Sequence, residues 1–152
     1  MTRLIAVAVA AACAAVVVGV ANAEIVSRMT FHSDFTFLDA CSGEPVHVVG
    51  DLETFATSTV NDNTVSGTFH SVFRATGTGL VSGLTYQEVV VFNRSFNQSL
   101  ENGQATVTTL GTIHVIAPGP DNDLRSPFFA HMTFNANGEL VSTNVSTETE
   151  CH

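Results

Sequence analysis

The chain has 152 residues, with fourteen acidic side chains set against five arginines and no lysine, a formal net charge of −9. A surface of that sign repels phosphate backbones and anionic headgroups, which excludes nucleic acid and acidic membranes as natural partners. Few charges among many Thr, Ser, Asn and Val residues suit an extracellular β-protein better than a helical one.

In chain order, Arg3 precedes an apolar run from Leu4 to Val20, and Ala21-Asn22-Ala23 follows. A short basic region, an apolar core and a small-x-small site make residues 1–23 a signal peptide cut after Ala23. Two alternatives are an uncleaved anchor, since about 20 apolar residues can span a bilayer, and a lipoprotein signal ending at Cys13. Against the second, Ala14 to Val20 continue apolar where a lipid-bearing cysteine would lead into a polar tether. The expectation is a secreted domain, residues 24–152, with no membrane attachment after cleavage and a net charge of −10. Two cysteines remain in it, Cys41 and Cys151. An even count in an oxidising compartment makes one disulfide the default. Zinc is the alternative, but neither cysteine has a Cys-x-x-Cys neighbour, and His152 adds a single ligand.

No sustained 3.6-residue apolar period follows; strand-like segments alternate with turn clusters. The first, Met29 to Leu38, places Phe31, Phe35 and Phe37 on one face. Val46 to Ser58 comes after Cys41–Pro45, and Val65 to Leu80 after the turn at Asn61-Asp62-Asn63. In that third segment Val65, Gly67, Phe69, Ser71, Phe73, Ala75, Gly77 and Gly79 read as the inward set. Ser66, Thr68, His70, Val72, Arg74 and Thr76 read as the outward one. Thr85 to Asn97 follows Ser82-Gly83, and Glu101-Asn102-Gly103 is a hairpin signal. Ala105 to Ala117 has Ala105, Val107, Thr109, Gly111, Ile113 and Val115 inward and His114 outward. After the loop Pro118–Asp123 come Arg125 to Phe134 and Glu139 to Cys151. That makes seven strands, with an eighth available from residues 24–28 or from a break in the third segment.

Short turns between successive strands imply an all-β antiparallel meander. An open sheet of such strands would leave two edges to cover, so the expected form is a small soluble β-barrel of seven or eight strands. Gly50, Gly67, Gly77, Gly79 and Gly111 inside strands fit barrel bends, and a Cys41–Cys151 bond would bring the last strand to the second. A two-sheet sandwich meets the same distance condition. Asp51, Glu53, Arg74, Glu88 and Arg94 at mid-strand positions argue against a transmembrane barrel.

From Cys41-Ser42-Gly43-Glu44-Pro45-Val46 the sequence resembles a group of secreted bacterial proteins. The likeness continues at Gly77-Thr78-Gly79-Leu80-Val81-Ser82-Gly83-Leu84-Thr85-Tyr86-Gln87, at Phe134–Glu139 and at the closing Glu150-Cys151. It departs at Asp39-Ala40, where the group has Asn-Pro, which touches the turn alone. The resemblance implies secretion and brings no activity, so no catalytic residue is carried over.

Among candidate chemistries, His70, His114 and His131, with His47, could meet on neighbouring strands and hold zinc or copper. No two of them have His-x-His spacing, and strand histidines more often face solvent or satisfy a local hydrogen bond. No Gly-x-Ser-x-Gly elbow is present. Glu53, Glu88 and Arg94 could form an interior polar cluster of the acid–base type, or simply face water. Eleven phenylalanines among small residues can fill a barrel or line a pocket. The leading expectation is a non-enzymatic binder of a small apolar or amphipathic molecule, needing no metal or cofactor. Its candidate site is lined by Phe69, Phe73, Gly111, Ile113 and Val115. The alternatives are a small-barrel isomerase or cyclase, similar to allene oxide cyclases in architecture only, and a structural envelope or matrix protein.

Overall fold

A computed structural model describes residues 23–119 and 122–152, so the leader and the cut after Ala23 lie almost wholly outside the described residues. No helix among the described residues is long and apolar enough to cross a membrane. The chain forms β1 (Ala23–Leu38), β2 (Pro45–Val60), β3 (Thr64–Gly79), β4 (Thr85–Ser99), β5 (Ala105–Ile116), β6 (Leu124–Phe134), β7 (Leu140–Thr147) and β8 (Glu150–Cys151). They make one antiparallel meander in the order β1 to β7, with β8 paired beside β7 on β6. The eighth strand is therefore the chain's last two strand residues, while residues 24–28 belong to β1.

Three corners share one construction. Asp39 N–H donates to Glu44 O, Gly79 N–H to Leu84 O and Ser99 N–H to Gln104 O, each closing a four-residue loop. The last loop residue is a glycine at φ near +70°, Gly43, Gly83 or Gly103, a conformation that side chains resist. The residue before each glycine (Ser42, Ser82 and Asn102) accepts the backbone N–H just beyond it. This is why Ser-Gly and Asn-Gly recur where the chain reverses.

The sheet does not close into a barrel. Among the described residues no ladder joins β1 to β7, so both are edges. The reason lies in the last strand. Pro127 sits mid-β6 without an N–H to donate, opposite the break between β7, which ends at Phe128↔Thr147, and β8, which begins at Arg125↔Glu150. Ser126 Oγ bridges the break, 3.2 Å from the hydroxyls of both Thr147 and Thr149. A final strand so interrupted offers β1 no continuous partner. What closes the sheet, at one end only, is covalent: Cys41, in the β1–β2 corner, is bonded to Cys151 in β8 with the Cα atoms 5.6 Å apart.

At that end the sheet curls on itself. Val46 and Val48 of β2 pack with Tyr86, Val115, Ala117 and Leu124, which are strands away in the ladder. Above them the inner face opens, and Met29, Phe31 and Phe35 of β1 stand 38 to 51 % exposed.

Candidate functional site

Residues of the Cys41–Val46 and Gly77–Gln87 segments meet in a polar knot at the curled end. Buried Glu44 accepts the Tyr86 hydroxyl at 2.6 Å and the Ser82 hydroxyl at 2.7 Å on Oε1, and the N–H groups of Val81 and Ser82 on Oε2. A Cβ at Gly79 would stand 2.5 Å from Glu44 Oε1, and one at Gly77 would stand 2.8 Å from Val46 and Val48. Those two glycines and Tyr86 are therefore the packing that the carboxylate requires. Asp39, fully buried, accepts the Ser42 hydroxyl and N–H in the same corner. The knot holds the β1–β2 corner to the β3–β4 corner. Its role is structural.

The hydrogen bond from Tyr86, then those from Ser82, hold the Glu44 carboxyl well below the usual range, at about 2. Glu88 is the opposite case. It is 6 % exposed on the inner face between Ala75 and Val115, and its Oε2 has no partner. Burial pushes its carboxyl up. The two groups thus have opposite linkage to pH. Glu44 supplies stability above the ordinary value of 4.5 that disappears as pH falls toward 2. Glu88 binds its proton more tightly folded than unfolded, so its contribution worsens as pH rises through the carboxylate range. Glu88→Met is expected to raise the melting temperature at neutral pH, and the gain should shrink in acid. Glu44→Gln should lower it at neutral pH and converge with the parent near pH 2. Thermal melts across pH check both signs, and a Glu88→Met gain that grows in acid would contradict the assignment.

The ladder register places all five predicted site residues, Phe69, Phe73, Gly111, Ile113 and Val115, on the inner face. Phe73 and Ile113 both neighbour Val90, and Gly111 lies between Phe92 and Phe128. It does not gather them around one hollow: Gly111 borders one and Phe69 another. Val115 and Phe73 are buried core, 1 % and 6 % exposed. A Cβ at Gly111 would lie 2.4 Å from the Phe128 ring, and one at Gly67 would lie 2.5 Å from Phe96, which also stacks on Phe69 at 5.8 Å. Gly67 and Gly111 are thus each covered by an aromatic ring from the adjoining strand.

The histidines lie outside, as the alternation predicts. His70 pairs with Asn93, His131 with Thr108, His32 with Asp51 and His47 with Asp34, at 2.7 to 2.9 Å. No metal-holding group of three His, Cys, Asp or Glu residues occurs among the described residues. The acid–base cluster does not assemble either. Glu53 is on the outer face with Arg28, whereas Glu88 and Arg94 are inside, and Arg94 Nε donates to Thr109. Solvent exposure, the other reading, holds for Arg94, which is exposed, and fails for Glu88, which is buried.

Room exists on the outer face, which the sequence reading passed over. A hollow of about 570 Å³ crosses β4 to β7 along two rungs of the ladder, Val91–Thr112–Pro127 and Asn93–Leu110–Phe129–Ser146. Its middle is apolar, and Glu148 stands at the Pro127 break. A second hollow of about 330 Å³ shares Leu110 and Asn93 and is lined also by His70, Thr68, Ser95, Thr108, Phe69 and Arg94. Together they form a trough with an apolar stretch and a stretch of hydroxyls and imidazole. Each apolar member looks alone like a stray hydrophobe on a polar face, and only the register gathers them. No known protein family, curated protein or solved structure matches the chain.

Proposed function

We propose that this is a secreted, non-enzymatic protein that binds a small amphipathic molecule, and that the molecule lies in the outer-face trough rather than in the sheet interior. The observation that carries the reading is the two-part lining. Leu110, Val91, Pro127 and Phe129 receive an apolar body, and Asn93, His70 and the adjoining hydroxyls receive a hydrogen-bonding head. The larger hollow falls within the roughly 300–1,000 Å³ usual for small-molecule sites. Glu148 lines the apolar hollow and Arg94 the polar one, so the lining selects an amphiphile without selecting the charge of its head. Secretion rests on the leader-like first 23 residues and is supported by the disulfide, which suits an oxidising compartment.

Native mass spectrometry of the protein recovered from the medium tests both parts. The expected species begins at Glu24 and carries a noncovalent adduct of small-molecule mass. A chain that retains Met1 or a lipid at Cys13 would contradict secretion by cleavage, and an adduct that persists in Leu110→Glu would contradict the trough.

A further inference from the structure

Among the described residues β1 is a long edge strand. It runs sixteen residues in unbroken register with β2, from Ala23↔Val60 to Leu38↔Pro45. It has no proline, lysine or bulge, and its inner face (Ser27, Met29, Phe31, Ser33, Phe35, Phe37) carries no charge. Soluble proteins ordinarily protect long edges by one of those devices. The opposite edge, β7, is half as long and begins at a register shift between Thr133 and Phe134.

The middle of the outer face of β1 reads Arg28, Thr30, His32, Asp34, which is charge-complementary to itself reversed. We propose that two copies of this chain pair antiparallel through their β1 strands, with Phe31 on the two-fold axis. In that register Arg28 faces Asp34 of the second copy and Thr30 faces its His32, with the same pairs repeated by symmetry. Arg28 already bonds Glu53 at 3.1 Å, and Asp34 bonds His47 at 2.7 Å. The joined face therefore carries alternating charges: Glu53, Arg28, then Asp34 of the second copy. Like charges facing across the seam would be repelled, so the pattern selects this register. On the inner face Phe31, 51 % exposed, meets its own copy, and Met29 faces Ser33. The interface is isologous and closes at two subunits. It is independent of the ligand reading, because the trough lies on β3 to β7.

Cysteine crosslinking of the mature protein reads the register directly. Facing Cα atoms in an antiparallel pair lie about 4.5–5.5 Å apart, within disulfide range. Phe31→Cys is expected to give a covalent dimer under mild oxidation. Met29→Cys and Ser33→Cys should crosslink when mixed but not singly, since each lies roughly 13 Å from its own copy. Sedimentation of the unmodified protein should show a concentration-dependent doubling of mass, abolished by Phe31→Lys with the melting temperature retained. A wild-type protein that stays monomeric would overturn the proposal, as would oligomers beyond two or Met29→Cys crosslinking alone as readily as Phe31→Cys.

Discussion

Replacing both cysteines by serine, at Cys41 and Cys151, is expected to lower the melting temperature by more than about 10 °C. The bridge spans 110 residues, for which the chain-entropy model gives roughly 4–5 kcal/mol. Typical domains have about 5–15 kcal/mol in total, and at this size each kcal/mol moves the midpoint by about 4 °C. The structural consequence is local before it is global. β8 is held to β6 by two residue pairs, Leu124↔Cys151 and Arg125↔Glu150, extended by the two backbone bonds that Asp123 and His152 exchange. Without the bond that strand should fray, and Leu124 and Val115 would lose their cover at the curled end. Hydrogen exchange of residues 122–126 and 148–152 would rise first. An unchanged melting temperature would mean that the knot around Glu44 closes that end unaided.

Gly111→Phe is the second large effect, and its direction separates two views of the strand glycines. If they left space, the new ring would fill a cavity at little cost. In the structure the added side chain meets the Phe128 ring at 2.4 Å and Val91 O at 2.8 Å, so neighbouring backbone must move. Overpacking of this kind costs about 3 kcal/mol, or roughly 10 °C here. The Phe128 ring already serves the glycine as aromatic cover. Gly111→Phe is therefore expected to destabilise the fold, and a thermal melt within about 2 °C of the parent would contradict the packing described.

Much of this was legible in the residues, element by element. The inward and outward sets of β3 and β5 follow from period-two alternation, which requires only the strand's own sequence. The disulfide and the corners follow from Cys41, Cys151 and the repeated Ser-Gly and Asn-Gly pairs. Closure was not legible, because it depends on whether the two outermost strands can pair. Pro127 was the available signal: a proline inside a predicted strand marks an interruption in its neighbour. The space at Gly111 depends on register, since its face is set within β5 but its occupant, Phe128, comes from β6. Glu88 misled for a similar reason. A charge in a strand reads as solvated, but its face is shared with Tyr86 and Val90 and turns into the curled end. The trough needs five strands in register, so Leu110, 54 % exposed, gave no hint in isolation.

The central claim is the location of the binding surface, and a fluorophore titration tests it most directly. A neutral hydrophobic dye is titrated into the mature protein, into Leu110→Glu and into Phe31→Lys, with each fold checked by its melt. Leu110 belongs to both hollows and is more than half exposed, so a charge there should leave stability within about 0.5 kcal/mol. The account predicts saturable binding by the parent and by Phe31→Lys, weakened at least about tenfold by Leu110→Glu, which corresponds to about 1.4 kcal/mol. Binding that survives Leu110→Glu and is lost in Phe31→Lys would place the ligand on the inner aromatic face and contradict it.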